Sequence, residues 1–292
     1  HDAILLALGP PVETLPATLL IPGYCTGVAL SEVSQPTVPL GPDIAMPLLG
    51  LGTWQMRGSE CRRAVRYAIE VGYRHLDTAT MYRNEADIGR AVRESGVARE
   101  ELFITTKLAP NDAGRERRTL EASLRALGTE YVDLWLIHWP PSGRAGAQTW
   151  KEFVALRDEG KTRAVGVSNY HVAQIDELTQ TSGQAPQVNQ IRWGPSLYDA
   201  GEVAEHRRRG VVVEGYSPFK TTDLRHPVLG EIAKRHGVTP AQVVLRWHID
   251  HEVVVIPKSA SPERIAANFD VFGFSLDDAE LGRIDALSTP AR

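Results

Sequence analysis

The chain has 292 residues, 42% of them hydrophobic and 23% charged, with a formal net charge of −4. These values describe a globular protein and give no reason to expect nucleic acid or an anionic membrane as a partner. No apolar run is long enough to span a bilayer, and two cysteines, Cys25 and Cys61, are no disulfide framework, so a reducing cytoplasm is the expected setting.

Residues 1–36 read as an irregular or partly disordered extension, because their apolar patches are broken by Pro10, Pro11, Pro16, Pro22 and Gly23 and hold no period. From there to residue 292 a single domain is expected. It opens with a hairpin over Thr37 to Pro47 and the strand LLGLGTW. The following helix shows Cys61, Ala64, Val65, Ala68 and Ile69 at helical spacing and stops at Gly72. YRHLD is a short strand. Asn84 is placed to cap a helix that turns Ile88, Ala91 and Val92 inward and ends at Gly96. LFITTK, a helix carrying Leu120, Leu124 and Leu127, and VDLWLIH come next. The alternation continues with a helix over Trp150 to Asp158, strand TRAVGVS, helix Val172 to Thr179, strand QVNQ, helix Gly201 to Arg208 and strand VVVEGYS. Two helices follow, near Pro227 to His236 and Pro240 to Ile249, the second capped by Thr239. VVVIPK is the last strand, Ser261-Pro262 starts another helix, and Leu276 to Leu287 starts with the box-like Ser275-x-x-Asp278.

Eight strands, each followed by a helix, with no break in composition, argue for one (β/α)8 barrel with an N-terminal hairpin and extra helices. The open doubly wound sheet would favour G-x-G-x-x-G after its first strand, and Gln55 stands where the third glycine belongs.

In such a barrel the chemistry lies at the C-terminal ends of the strands. Successive strands there end in Asp77, Lys107 and His138, and Tyr82 lies just after Asp77. Each alone has an ordinary structural reading, as a turn cap, a solvated strand end or a satisfied core histidine. Together they suit one use. An ammonium fixed by a carboxylate lowers the pKa of a neighbouring phenol, which can then protonate an oxygen becoming an alkoxide. An imidazole opposite it orients the carbonyl. Neither a nucleophile nor a metal is implied. The hydride must come from a cofactor. Lys258, Ser259 and Arg264 surround a helix N-terminus opened by Ser261-Pro262, a place for the 2′-phosphate of NADPH.

GYRHLDTATMYRNE, LFITTKL, LIHWP, GVSN, VNQ, YSPF and IPKS, in this order, resemble the aldo-keto reductases from Val38 to about Leu287. VAREELFITTKL and TPAQVVLRWHI are most similar to the bacterial 2,5-diketo-D-gluconate reductase branch. The resemblance implies that Tyr82 is the proton donor, Lys107 and Asp77 its tuning pair and His138 the carbonyl orienter. It implies cofactor contacts from Gly52, Thr53, Ser168, Asn169, Gln190, Tyr216, Ser217, Lys258, Ser259, Arg264 and Asn268, with Tyr216 stacked on the nicotinamide. Trp54 and Trp139 would wall the substrate pocket. His138 implies reduction of C=O rather than of a steroid C=C, for which relatives carry glutamate. Ala267 departs from the glutamate many members use on the adenine.

The short segment after Trp139 and the end of the chain soon after its last helix lead to the expectation of an open pocket, broad in its use of aldehydes and activated ketones, on a monomer. The alternative is a cofactor-binding regulatory subunit on the same barrel without significant turnover.

Overall fold

The computed structural model describes residues 35–288; the expectation for residues 1–34 lies outside them. A hairpin of antiparallel strands β1 (Thr37–Gly41) and β2 (Ile44–Pro47) comes first. Eight parallel strands follow: β3 (Leu51–Gly52), β4 (His75–Asp77), β5 (Phe103–Leu108), β6 (Val132–Ile137), β7 (Thr162–Ser168), β8 (Val188–Arg192), β9 (Val212–Tyr216) and β10 (Val254–Ile256). They pair in chain order, and bridges from Leu49 to Val255 and from Gly52 to Lys258 join the last strand to the first. The sheet therefore closes into the expected barrel.

Eight helices fill the crossovers: α1 (Gly58–Val71), α2 (Glu85–Ser95), α3 (Glu116–Leu127), α4 (Ala147–Asp158), α5 (Val172–Ser182), α6 (Ala200–Arg208), α7 (Pro227–His236) and α8 (Pro240–Asp250). The chain continues past β10 with α9 (Pro262–Phe269) and α10 (Asp278–Asp285). The apolar stripe read for α1 is buried residue for residue. Helix α2 runs close to the end of α3, where a Cβ on Gly89 would fall 2.1 Å from the carbonyl oxygen of Leu127. Between sheet and helix layer, Trp135 of β6 stacks flat on Phe153 of α4 at 3.7 Å. Removing such a buried ring costs about 3–5 kcal/mol.

Several helix boundaries differ from the sequence reading. α4 starts at Ala147, on a turn whose alanine, glutamine and threonine carry no apolar period. α5 runs on to Ser182, its late hydroxyls bonding back to the carbonyls of Ile175, Glu177 and Leu178. The capping box of α10 is Asp277 with Glu280 rather than Ser275 with Asp278, because only Asp277 makes the reciprocal bonds.

At the N-terminal ends of the strands the barrel is fastened by polar contacts. Buried Asp133 accepts from Arg99 at 2.7 Å, from Arg163 at 3.1 Å and from the amide of Ile104 at 2.9 Å. The hairpin is tied to the same end through Gln187, which donates to the carbonyl of Leu40, and Arg163, which donates to that of Asp43. Among the described residues no helix is long and apolar enough to cross a membrane.

Candidate active site

The opposite rim collects the polar strand ends. β4 delivers Asp77, and the chain then forms a single tight turn over Thr80–Tyr82, closed by Arg83 in the left-handed region at φ 55°. The turn is held from three sides. Thr80 donates to the carbonyl of Lys107 at 3.0 Å, and Thr78 donates to the Asn84 side chain at 2.6 Å. Asn84 is fully buried and donates to the carbonyls of Thr53 and Met56 at 2.9 and 3.0 Å. It stands at the start of α2, where its carbonyl accepts from the amides of Asp87 and Ile88, but its side chain makes no bond to that helix, so the expected side-chain cap is replaced by a latch between the β3 and β4 loops.

Lys107, completely buried, donates to both carboxylate oxygens of Asp77 at 2.7 Å and to the carbonyl of Thr78 at 2.8 Å. Gln190 adds a bond to Asp77 Oδ2 at 2.8 Å. The ammonium lies 5.1 Å from the centre of the Tyr82 ring, and the His138 ring meets Tyr82 edge-on at 5.7 Å. The structure thus groups Asp77, Tyr82, Lys107 and His138.

The electrostatics differ from the sequence expectation in one respect. Burial raises the Tyr82 phenol above its ordinary value; Lys107 pulls it down, and Asp77 pushes it up again. The lowering by Lys107 is present but outweighed, so the phenol keeps its proton at neutral pH. Burial works against the Lys107 ammonium, yet the Asp77 carboxylate holds its pKa above the usual value. His138 is pulled down to about 3 by burial and by Lys107, and is therefore a neutral imidazole. Its Nδ1 has no hydrogen-bond partner among the described residues.

β7, β8 and β9 bring together a second group. Ser168 donates to the carbonyl of Gln190, and Asn169 donates to Ser168 Oγ and to the carbonyl of His138. Tyr216 donates to Asn169 Oδ1 at 2.8 Å. Asn169 and Ser217 both sit at positive φ, 63° and 57°, where a residue other than glycine stores strain. Gly52 and Thr53 lie at the end of β3, between β4 and the end of β10, with Thr53 Oγ1 donating to the carbonyl of Asp77. At the end of β10, Lys258 is exposed and Ser259 buried; Ser261 caps α9, on which Arg264 is exposed and Asn268 buried. Neither Lys258 nor Arg264 has an ion-pair partner among the described residues. Trp54 and Trp139 are about half exposed, as is Met81 beside Tyr82, and the Lys220 ammonium covers the Trp54 ring at 4.6 Å. The sequence marked Asn84 only as a helix cap and gave no role to Met81 or Lys220. No cluster of three or more potential metal ligands occurs among the described residues.

Residues 48–289 match the model of the aldo/keto reductase family. An aldo-keto reductase of Mycolicibacterium smegmatis is 43% identical over 262 residues, covering 88% of this chain and 95% of that protein. The methylglyoxal reductase DkgA of Yersinia pestis is 41% identical, with 88% and 95% covered. Among solved structures, an aldo/keto reductase from Brucella melitensis superposes with a TM-score of 0.84 at 40% identity, covering 87% of this chain and all of that one. A Bombyx mori aldo-keto reductase in complex with NADP gives 0.82 at 34%, covering 89% and 95%. With the barrel closed and these side chains at its rim, the chain belongs to the aldo/keto reductase family.

Proposed function

We propose that the protein reduces aldehydes and activated ketones to alcohols with NADPH, Tyr82 delivering the proton to the carbonyl oxygen. The observation that carries this reading is the buried Lys107 ammonium, clamped by both oxygens of Asp77 and set 5.1 Å from the Tyr82 ring. A phenol that keeps its proton at neutral pH is an acid in waiting. As negative charge grows on a carbonyl oxygen, proton transfer leaves a phenolate, and the fixed ammonium stabilises that anion. Neutral His138 donates a hydrogen bond to the same oxygen and orients it without surrendering its proton. Trp54 and Trp139 offer flat apolar walls for the rest of the substrate.

The residues present fit the cofactor. Lys258 and Arg264, two cations without ion-pair partners among the described residues, flank the N-terminus of α9, whose free amides and dipole favour a phosphate dianion. Lys258, Ser259 and Arg264 would hold the 2′-phosphate, Asn268 the adenine, Ser217 the pyrophosphate, and Ser168, Asn169, Gln190 and Tyr216 the nicotinamide end, with Gly52 and Thr53 beside it. When bound, NADPH supplies the hydride that no side chain can.

The reading is supported by relatives named methylglyoxal reductase and morphine 6-dehydrogenase and by solved relatives holding NADP or NADPH. It is tested by following NADPH absorbance with 4-nitrobenzaldehyde for the native protein and Tyr82→Phe. Turnover should fall by about 10²–10⁴ in the variant while NADPH binding persists. Comparable turnover in the two proteins would remove Tyr82 from its role.

A further inference from the structure

Two residues inward from the rim, the barrel interior carries a second polar layer. His75 precedes Asp77 by two residues on β4, Thr105 precedes Lys107 on β5, and Glu214 precedes Tyr216 on β9, so each pair shares its strand's inner face. His75 and Glu214 are fully buried, with Nε2 and Oε1 3.6 Å apart. The same Nε2 lies 3.3 Å from Thr105 Oγ1. Among the described residues neither Glu214 oxygen has a hydrogen-bond partner, nor does His75 Nδ1. The imidazole takes space from its neighbour, since a Cβ on Gly50 would fall 2.5 Å from Nδ1.

An anionic carboxylate so poorly supplied with donors is costly in a barrel interior. Burial, with a contribution from Asp77, pushes Glu214 up to about 8, against the opposing pull of Gln190 and Lys107. Burial takes His75 down to about 3, with a smaller push from Lys107 in the same direction. At neutral pH, then, the acid is protonated and the imidazole uncharged. Glu214 is faced by His75 and Asp77 from β4 and by Lys107 from β5. Gln190 is its ladder partner on β8, and on the other side β10 offers Val254, which cannot titrate.

We propose that Glu214 is a positioning residue for the reduction: uncharged, it leaves Lys107 balanced by Asp77 and available to Tyr82, and when ionised it turns that support away. The effect passes through Lys107, because a second carboxylate within electrostatic reach of the ammonium offsets part of the field that would stabilise a Tyr82 phenolate. This rests on Tyr82 being the proton donor.

The test is the pH dependence of kcat/KM for NADPH-driven aldehyde reduction in the native protein and in Glu214→Gln, which keeps the shape and cannot ionise. Near pH 7 the two should agree within about threefold, and the ratio of variant to native should rise roughly tenfold by about pH 9, as the native acid ionises. Profiles that superimpose, or that differ by one constant factor at every pH, would overturn the proposal, the second outcome marking a packing role alone. A variant that does not fold leaves a direct measurement on the native protein, the carboxyl carbon shifts of labelled glutamates. A carboxyl that titrates near pH 8 supports the proposal, and titration of every glutamate below about pH 6 overturns it. Tyr82→Phe assayed alongside separates the two readings. Activity that survives it defeats the donor assignment, whereas an inactive Tyr82→Phe with superimposed Glu214→Gln profiles defeats only the role of Glu214.

Discussion

Thr80 donates its hydroxyl to the carbonyl of Lys107 at 3.0 Å, so the turn that presents Tyr82 is tied to the strand that presents the ammonium. The distance between the Tyr82 turn and the ammonium is thereby set by a short covalent path and one hydrogen bond rather than by the packing of a loop. Thr80→Val should lower kcat/KM by about tenfold through kcat, with KM for NADPH unchanged, as expected when a proton donor loses its alignment. Steady-state kinetics with both substrates varied would check this; a change confined to KM would contradict it.

Asn84 closes the same turn from the other side, with its amide spanning the loops after β3 and β4. Asn84→Ala leaves the carbonyls of Thr53 and Met56 without that donor inside the protein. A loss of about 2–4 kcal/mol in urea unfolding is expected, together with reduced turnover. Asn84→Asp, which keeps the size but loses the donors, should be no better.

The proposed phosphate site predicts a change in cofactor preference. Lys258→Ala and Arg264→Ala should each raise KM for NADPH by about 10–100-fold, the value of one charge-assisted bond, and leave KM for NADH almost untouched. Equal effects on both cofactors would place these cations elsewhere.

At the sealed end, Asp133 is buried and serves Arg99, Arg163 and the Ile104 amide at once. Asp133→Ala should cost about 3 kcal/mol, read as a fall in Tm of roughly 6–12 °C, with kcat of the folded protein unchanged.

Acid should destabilise the fold before it reaches the carboxylates. His75 and His138 are held at about 3 and His248 at about 4, all three first by burial. A folded-state pKa below the ordinary 6.5 means that the unfolded chain takes up protons the native state refuses. The histidine contribution is then complete above about pH 6.5 and declines as the pH falls toward 4, three groups against the opposing contribution of Glu214, whose raised pKa favours the fold as pH falls from about 8. Thermal melts across that range would show it, and a flat Tm from pH 7 to about 4.5 would refute it.

The barrel was legible because it repeats: a helix with Cys61, Ala64, Val65 and Ala68 on one face announces itself, and the strand ends that carry Asp77, Lys107 and His138 follow from counting. What stayed hidden has no period. Asn84 looks like any helix cap until its amide is seen reaching across two loops. Glu214 interrupts the apolar run VVVEGYS without any signal that it meets His75 inside the barrel, because an inward position in a strand depends on register and not on composition. The phenol was expected to be lowered by its ammonium neighbour, and it is raised, since the extent of burial is a property of the closed barrel and not of the motif. Helix α4 began earlier than read because its first turn offers no apolar residue to the period.

The hairpin, held by its Leu40 and Asp43 carbonyls to Gln187 and Arg163, gives the barrel two ends with separate duties. Changes to the loops around Tyr82, Trp54 and Trp139 do not touch the ion cluster and hairpin that fasten the other end. Such an architecture lets natural variation or a designed library explore new carbonyl compounds on one face while the opposite face keeps the molecule folded, so tolerance to mutation and novelty of substrate can be sought in the same chain.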